Sequence, residues 1–78
     1  MPPINRRIEY TDHAASRMVR RNTDEEDVLA ALEAPQSRHR HRKDGLWECW
    51  TRIPNLGQLK VVYEKRPDVI RVVSIVWE

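Results

Sequence analysis

The stretch VIRVVSIVW, residues 69–77, is almost continuously apolar and decides the fold. Valine and isoleucine make up most of it, and Arg71 is its one charged residue. A strand that is covered on both faces has this composition, because neither face is left to water. We therefore expect residues 69–77 to form a central strand that is covered on both sides.

Further strands surround this stretch. Three of them precede it, each followed by a short polar turn of the kind that joins antiparallel neighbours. The expected strands are SRHRHRK (37–43), LWECWTRI (46–53) and QLKVVYEK (58–65), and the turns are KDG (43–45), PNLG (54–57) and RPD (66–68). A short first strand ends at Tyr10, where Ile4, Arg6, Ile8 and Tyr10 alternate along the chain.

Two amphipathic helices are expected between the first strand and the others. Thr11 or Asp12 can cap the first helix. At 100° per residue, one side of that helix is apolar and the opposite side is polar. The expected buried stripe is Ala14, Ala15, Met18 and Val19, and the opposed face is His13, Ser16, Arg17 and Arg20, with Arg21 at its edge.

The second helix has acidic residues in its first turn, where the helix dipole favours them. Its capping box is either Thr23 with Glu26 or, in the competing register, Asp24 with Asp27. Its expected apolar face is Val28, Leu29 and Leu32, and Pro35 stops it.

These elements predict an α+β fold in the order β-α-α-β-β-β-β, with both helices on one face of a mostly antiparallel sheet. The 78 residues are expected to form a single domain, residues 1–78. A core of this size leaves no room for a deep cofactor cavity, so we expect no cofactor.

The sequence also indicates where the protein works. Its single cysteine, Cys49, cannot form an internal disulfide and suits a reducing compartment. We expect Cys49 to be a small buried hydrophobe, because it shares a strand face with Trp47. No apolar stretch reaches the roughly 18 residues of a membrane span. The basic start does not resemble a signal peptide, so we expect a cytoplasmic protein.

Charge is distributed unevenly along the chain. Residues 1–22 hold five arginines against two acids, a net charge of +3, and residues 23–34 hold five acids and no base, a net charge of −5. Residues 35–52 hold four arginines and one lysine against two acids, again +3. Such a layout favours a basic face for a polyanion. The alternative is that the charges only keep the protein in solution.

His13, Arg17 and Arg20 are the first candidate site. His13 lies in the first turn of its helix, and the two arginines follow on the same face. A base with cationic neighbours can remove a proton from a hydroxyl and stabilise the charge that builds on a phosphate. The alternatives are a solvated basic face, or arginines that clamp the two helices together by pairing Arg17 or Arg21 with Asp24 or Glu25.

The arginine-rich strand is the second candidate site. Arg38, Arg40 and Arg42 lie on one side of it and can follow a nucleic-acid backbone. Charge that protects an edge strand against aggregation explains them equally well. His39 and His41 lie on the other side, but a zinc site needs three or four ligands, so we expect no metal.

The tryptophans Trp47 and Trp50 lie on opposite faces of their strand, so that one is expected in the core. An exposed tryptophan beside arginines can stack on a base. Core packing is the favoured interpretation for at least two of the three tryptophans.

Residues 13–35, HAASRMVRRNTDEEDVLAALEAP, follow the pattern H-A-x2-R-M-x2-R-x6-V-x2-A-x3-P. This pattern resembles the short "HA…R…R" proteins, a family of unknown-function domains grouped with RelE-like toxins in the barnase, EndoU, colicin and RelE superfold of small metal-independent ribonucleases. The chain departs from the family at Thr23, where an apolar residue is common, and at Ser74, where a threonine often lies. The matching residues are His13, Ala14, Arg17, Met18, Arg21, Val28, Ala31 and Pro35.

The resemblance implies a toxin-like, metal-independent ribonuclease with a RelE-like fold. His13 would act as general base or acid, and Arg17 and Arg21 would position the phosphate. Ser74 would donate a hydrogen bond to it, and Arg20, Arg38, Arg40 and Arg42 would extend the RNA contact. The implied partners are RNA, free or ribosome-bound, and an antitoxin protein. The alternatives are a non-catalytic nucleic-acid- or protein-binding module, and a domain whose apolar groove accepts a peptide.

Overall fold

The expected α+β architecture is confirmed by a computed structural model that describes residues 7–34 and 36–78. Ile4, Arg6 and Pro35 lie outside the described residues, so their expected roles are not addressed. The elements are β1 (Arg7–Tyr10), α1 (Asp12–Arg20), α2 (Glu25–Glu33), β2 (Arg38–His41), β3 (Trp47–Ile53), β4 (Gly57–Lys65) and β5 (Val69–Trp77). Among the described residues, no helix has the length and apolar character needed to cross a membrane.

The strands form one five-stranded sheet in the order β1-β5-β4-β3-β2. The pairing of β1 with β5 is parallel, and the other three pairings are antiparallel. β5 therefore lies inside the sheet, as expected. The expectation that both of its faces are covered is wrong: Val72 and Ile75 are fully buried, but Val73 and Val76 are only half-buried. Both helices pack into the same buried cluster on one face, so neither of them covers the other face.

The two sheet faces follow from the strand register. Cys49, Val61 and Ile75 lie opposite one another across three strands, and all are fully buried beneath the helices. Residues one position along lie on the other side, because side chains alternate across a strand. This outer sheet face includes Glu48, Trp50, Lys60, Val62 and Ser74.

α1 buries a narrower stripe than expected. Ala14 and Met18 are buried in the core, but Ala15 is exposed and Val19 is 82% exposed. The expectation that Ala15 and Val19 are buried is wrong because α1 packs against β5 and β1. Both strands lie on one side of the helix. They cover Ala14 and Met18 but do not reach Ala15 and Val19.

α2 begins in the second of the two expected registers. Asp24 is its N-cap and forms a capping box with Asp27, so the Thr23–Glu26 register is wrong. Thr23 is instead buried, where its hydroxyl accepts a hydrogen bond of 2.7 Å from Trp77 Nε1. Val28 and Leu32 are buried as expected, while Leu29 is half-buried and Ala31 takes its place in the core.

The edge of β5 beyond the end of β1 is covered by α1. Thr11 caps the helix through its hydroxyl, which accepts from Ala14 N–H at 3.1 Å. The same residue donates its backbone N–H to Val72 O at 3.0 Å and its hydroxyl to Val73 O at 3.0 Å. Backbone carbonyls at a buried edge need such partners. Beyond the end of β1, Thr11 at the start of α1 therefore supplies the hydrogen-bond donors that a longer β1 would give to β5.

Candidate functional site

His13 lies in the first turn of α1 with its side chain exposed, while the next residue, Ala14, is fully buried. The structure therefore places His13 outside the core, as the helical wheel predicted. An exposed imidazole can reach a large substrate and exchange protons with solvent. Its proposed role in catalysis stays a prediction.

Arg17 lies one turn after His13 and is half-buried. Its Nε donates a hydrogen bond of 2.7 Å to the backbone carbonyl of Ile75 in β5. A guanidinium has five N–H donors in a rigid plane. The contact with Ile75 uses one and holds the plane in place, and among the described residues no carboxylate pairs with the four donors on the two terminal nitrogens.

Arg20 and Arg21 join Arg17 around a concavity of about 330 Å³. We call these three residues the α1 arginine site. In the part of the chain that the structure describes, no carboxylate forms an ion pair with any of them. The alternative in which Arg17 or Arg21 pairs with the acidic second helix is therefore absent among these residues. Cations in the last turn of a helix also interact favourably with its free carbonyls, which helps α1 to hold three like charges.

The arginines of the second candidate site are mostly paired. Arg40 forms an ion pair with Glu48 in β3, and Arg42, which lies after the end of β2, pairs with Asp44 at 2.9 Å. Arg38 is exposed and lines a concavity of about 520 Å³ with His39, Arg40 and Trp50. Two of the three arginines thus carry a charge that a carboxylate already offsets.

The two histidines of β2 contact aromatic side chains. His39 Nδ1 lies 3.0 Å from Tyr63 Oη, and the ring of His41 stacks on Trp47 with the centroids 4.6 Å apart. Burial lowers the pKa of His39, and the nearby Lys65 lowers it further. Among the described residues, no three His, Cys, Asp or Glu side chains come together to hold a metal ion.

Cys49 and Ser74 lie in the interior strands. Cys49 is fully buried, as expected, and burial raises the pKa of its thiol to about 12, so it stays protonated at neutral pH. Ser74 lies on the outer sheet face opposite Val62, beside a bulge in the pairing of β4 and β5. It precedes Ile75, the residue whose carbonyl holds Arg17, but it does not line the arginine concavity.

The structure keeps the two arginine-rich regions apart. Arg17 contacts the β5 edge, whereas Arg38 and Arg40 lie in β2 at the far side of the sheet, with β4 and β3 in between. Three strand spacings amount to about 14 Å. Five of the predicted arginines therefore line two separate concavities, Arg17, Arg20 and Arg21 the one and Arg38 and Arg40 the other, while His13, Arg42 and Ser74 line neither.

Sequence reasoning missed two contacts that shape these sites. One is the bond from Arg17 to the Ile75 carbonyl, which joins residues 58 positions apart. The other is the ion pair from Lys60 to Glu48, at 3.9 Å, beside Trp50. The signal for the second was present, because Glu48 and Arg52 lie two residues on either side of Trp50, but only strand pairing shows which charges meet.

The comparisons with known proteins identify a family and no individual relative. No curated protein matches the chain, and no solved structure matches it. A family described as "Domain of unknown function (DUF4258)" matches residues 10–77, which include every described element except the first three residues of β1. The chain therefore belongs to the DUF4258 family of domains of unknown function.

Proposed function

We propose that the protein acts on RNA as a toxin-like domain of the RelE type, and that the α1 arginine site binds phosphates of the RNA backbone. The observation that carries the proposal is three arginines around one concavity, with no carboxylate paired to them among the described residues. Guanidinium groups that are free of carboxylates form strong charge-assisted bonds with phosphate oxygens. The helix pair on one face of a five-stranded sheet supports the RelE-like assignment.

The anchoring of Arg17 strengthens this proposal. Its Nε is held by Ile75 O, so the guanidinium does not have to be ordered when a phosphate arrives. Preorganisation of this kind raises affinity by lowering the entropic cost of binding. The two terminal nitrogens form the fork that matches two phosphate oxygens.

RNA cleavage is the second candidate function, and the exposure of His13 one turn before Arg17 favours it. In this reaction His13 takes the proton from a ribose 2′-hydroxyl, and the 2′-oxygen attacks the adjacent phosphorus. The bond to the 5′-oxygen breaks, and that oxygen takes a proton from solvent, which leaves a 2′,3′-cyclic phosphate. Arg17 and Arg21 would offset the charge on the phosphate. Ser74 lies on the outer sheet face, away from this concavity, and takes no part. No metal takes part.

The proposal also names partners and a location. The RNA is free or ribosome-bound, and an antitoxin protein would restrain the activity. A protein of this kind works in the cytoplasm, where its RNA is found.

The binding proposal is tested by titrating labelled single-stranded RNA with the wild type and with Arg20→Ala/Arg21→Ala, which leaves the Arg17–Ile75 contact intact. We expect weaker binding and a salt dependence whose logarithmic slope falls by about 0.7 per lost phosphate contact. The matched control is Arg66→Ala, whose arginine pairs with Glu64. Equal affinities of the double variant and the wild type would contradict the proposal.

Cleavage is tested separately by incubating RNA with the protein in EDTA, with and without ribosomes. We expect a product that ends in a 2′,3′-cyclic phosphate from the wild type and a roughly 100-fold to 10,000-fold slower reaction from His13→Ala, as is typical for loss of a general base. If the two proteins behave alike, His13 is not catalytic, and the binding function remains.

A further inference from the structure

Trp50 is the middle residue of β3, the strand next to the sheet edge, and is half-buried on the outer sheet face. The strand register places Arg38 of β2 opposite it on one side and Lys60 of β4 opposite it on the other. Arg52 lies two residues further along β3 on the same face and is exposed. An indole ring on the face that neither α1 nor α2 covers thus has cationic side chains around it.

A buried carboxylate organises two of these cations. Glu48 is only 3% exposed, pairs with Arg40 on one side and lies 3.9 Å from Lys60 Nζ on the other. The guanidinium carbon of Arg40 lies 5.5 Å from the centroid of the Trp50 ring, within the range of a cation–π contact. Glu48 therefore fixes Arg40 and Lys60 beside the indole.

A concavity of about 520 Å³ opens next to the ring and is lined by Arg38, His39, Arg40 and Trp50. Arg38 is exposed, and among the described residues no carboxylate pairs with it. The concavity combines an aromatic surface with one cation that is not offset. It differs from the α1 arginine site, in which the lining residues are all arginines.

This combination matches the chemistry of an unpaired nucleotide. Bases of single-stranded nucleic acid stack on aromatic side chains, and nearby cations contact the phosphates. In a duplex the bases are stacked on one another and are not available to an indole on a protein surface.

We propose that this outer-face site binds a base of single-stranded RNA by stacking on Trp50, while Arg38 contacts the adjacent phosphate. The inference deepens the proposed RNA function and rests on it, but it assigns a separate contact, on the opposite side of the sheet from the α1 arginine site. The contact makes the protein selective for unpaired RNA over duplex RNA.

The test compares Trp50→Leu with Trp50→Phe in titrations of fluorescently labelled oligouridylate, of the same strand in a duplex, and of polyphosphate, which has phosphates and no bases. We expect Trp50→Leu to bind oligouridylate roughly fivefold to 150-fold more weakly, the range for one stacked base. Trp50→Phe should retain the affinity. Neither variant should change the binding of polyphosphate. Binding of oligouridylate to the wild type should quench tryptophan fluorescence, and Trp50→Phe should lose most of this quenching.

The outcomes separate this inference from the proposed function. Unchanged oligouridylate affinity in Trp50→Leu overturns the stacking contact, and the proposed function stands if Arg20→Ala/Arg21→Ala still weakens binding. If Trp50→Leu binds oligouridylate and polyphosphate more weakly by the same factor, the stacking contact is also overturned, because polyphosphate has no bases to stack. Loss of binding in Trp50→Leu but not in Arg20→Ala/Arg21→Ala supports the stacking contact and overturns the α1 arginine site. Thermal melting of both Trp50 variants confirms that each is folded.

Discussion

The N-terminal region and the β2 region carry the same net charge, and the fold uses that charge in different ways. Residues 1–22 and residues 35–52 each have a net charge of +3. In α1 the three arginines share a concavity without a carboxylate among the described residues, and one is held by a backbone carbonyl. Around β2, Arg40 and Arg42 are held by Glu48 and Asp44. Equal net charge therefore does not mean equal capacity for phosphate.

The origin of this difference lies in the partners that each element meets. α1 packs along the edge of β5, where the backbone carbonyls of Val73 and Ile75 accept hydrogen bonds from Thr11 and Arg17. β2 pairs with β3, which presents Glu48 opposite Arg40. An edge carbonyl fixes an arginine while leaving its formal charge unneutralised, whereas a carboxylate fixes it and offsets the charge.

The largest effect is expected from breaking the anchor of Arg17. Arg17→Ala leaves the carbonyl of Ile75 without its partner, which costs about 1–3 kcal/mol in the free energy of unfolding when the group is buried. Arg42→Ala is the control, since its exposed ion pair with Asp44 contributes only about 0–1 kcal/mol. Urea denaturation measures both. If Arg17→Ala is no less stable than Arg42→Ala, the carbonyl contact does not hold the helix against β5.

An intermediate effect is expected from releasing the arginines near β2. Asp44→Asn with Glu48→Gln removes the two carboxylates and leaves Arg40 and Arg42 with their charges unopposed. We expect tighter binding of polyphosphate, with a logarithmic salt slope that is steeper by about 0.7 for each arginine that now contacts a phosphate. The matched control is Glu64→Gln, which releases Arg66 away from both sites. The variant raises the net charge by two and the control by one, so an increase in the control of about half the logarithmic size would show that net charge alone sets the affinity.

The order and type of the elements could be predicted from the sequence, because they follow from local patterns. Alternation and turn residues located β2 to β5, and the capping residues located both helices. The extent of burial on α1 could not be predicted, because Val19 is exposed only as a consequence of where α1 packs. A helical wheel predicts which face of a helix is apolar, but it does not predict how much of that face the rest of the protein covers.

The candidate sites were predictable to the same degree. The sequence pattern identified Arg17 and Arg38 as candidate phosphate ligands, but it could not show that one is anchored and that they lie at different sheet edges. The anchor depends on a contact over 58 positions in the chain. The separation depends on the strand order β1-β5-β4-β3-β2. This order places β2, which holds Arg38, far from β5, which Arg17 contacts, and the sequence alone does not show it.

The smallest effect is expected from acid, and it concerns β2 and not α1. Burial, with a contribution from Lys65, lowers the pKa of His39 below its usual value near 6.5, so the folded state favours the neutral ring that contacts Tyr63. A lowered pKa makes a contribution to stability that is complete above pH 6.5. This contribution is lost as the pH falls through 6.5 towards the lower folded value, because the unfolded chain then binds the proton more readily. Thermal melting of the wild type and His39→Gln between pH 7.5 and pH 5 should show a slightly smaller loss of stability in the variant. If the stability of the two proteins falls equally with pH, the protonation of His39 is not coupled to folding. The neutral His39 ring then contributes nothing to the stability of β2 beside the ion pair of Arg40 with Glu48.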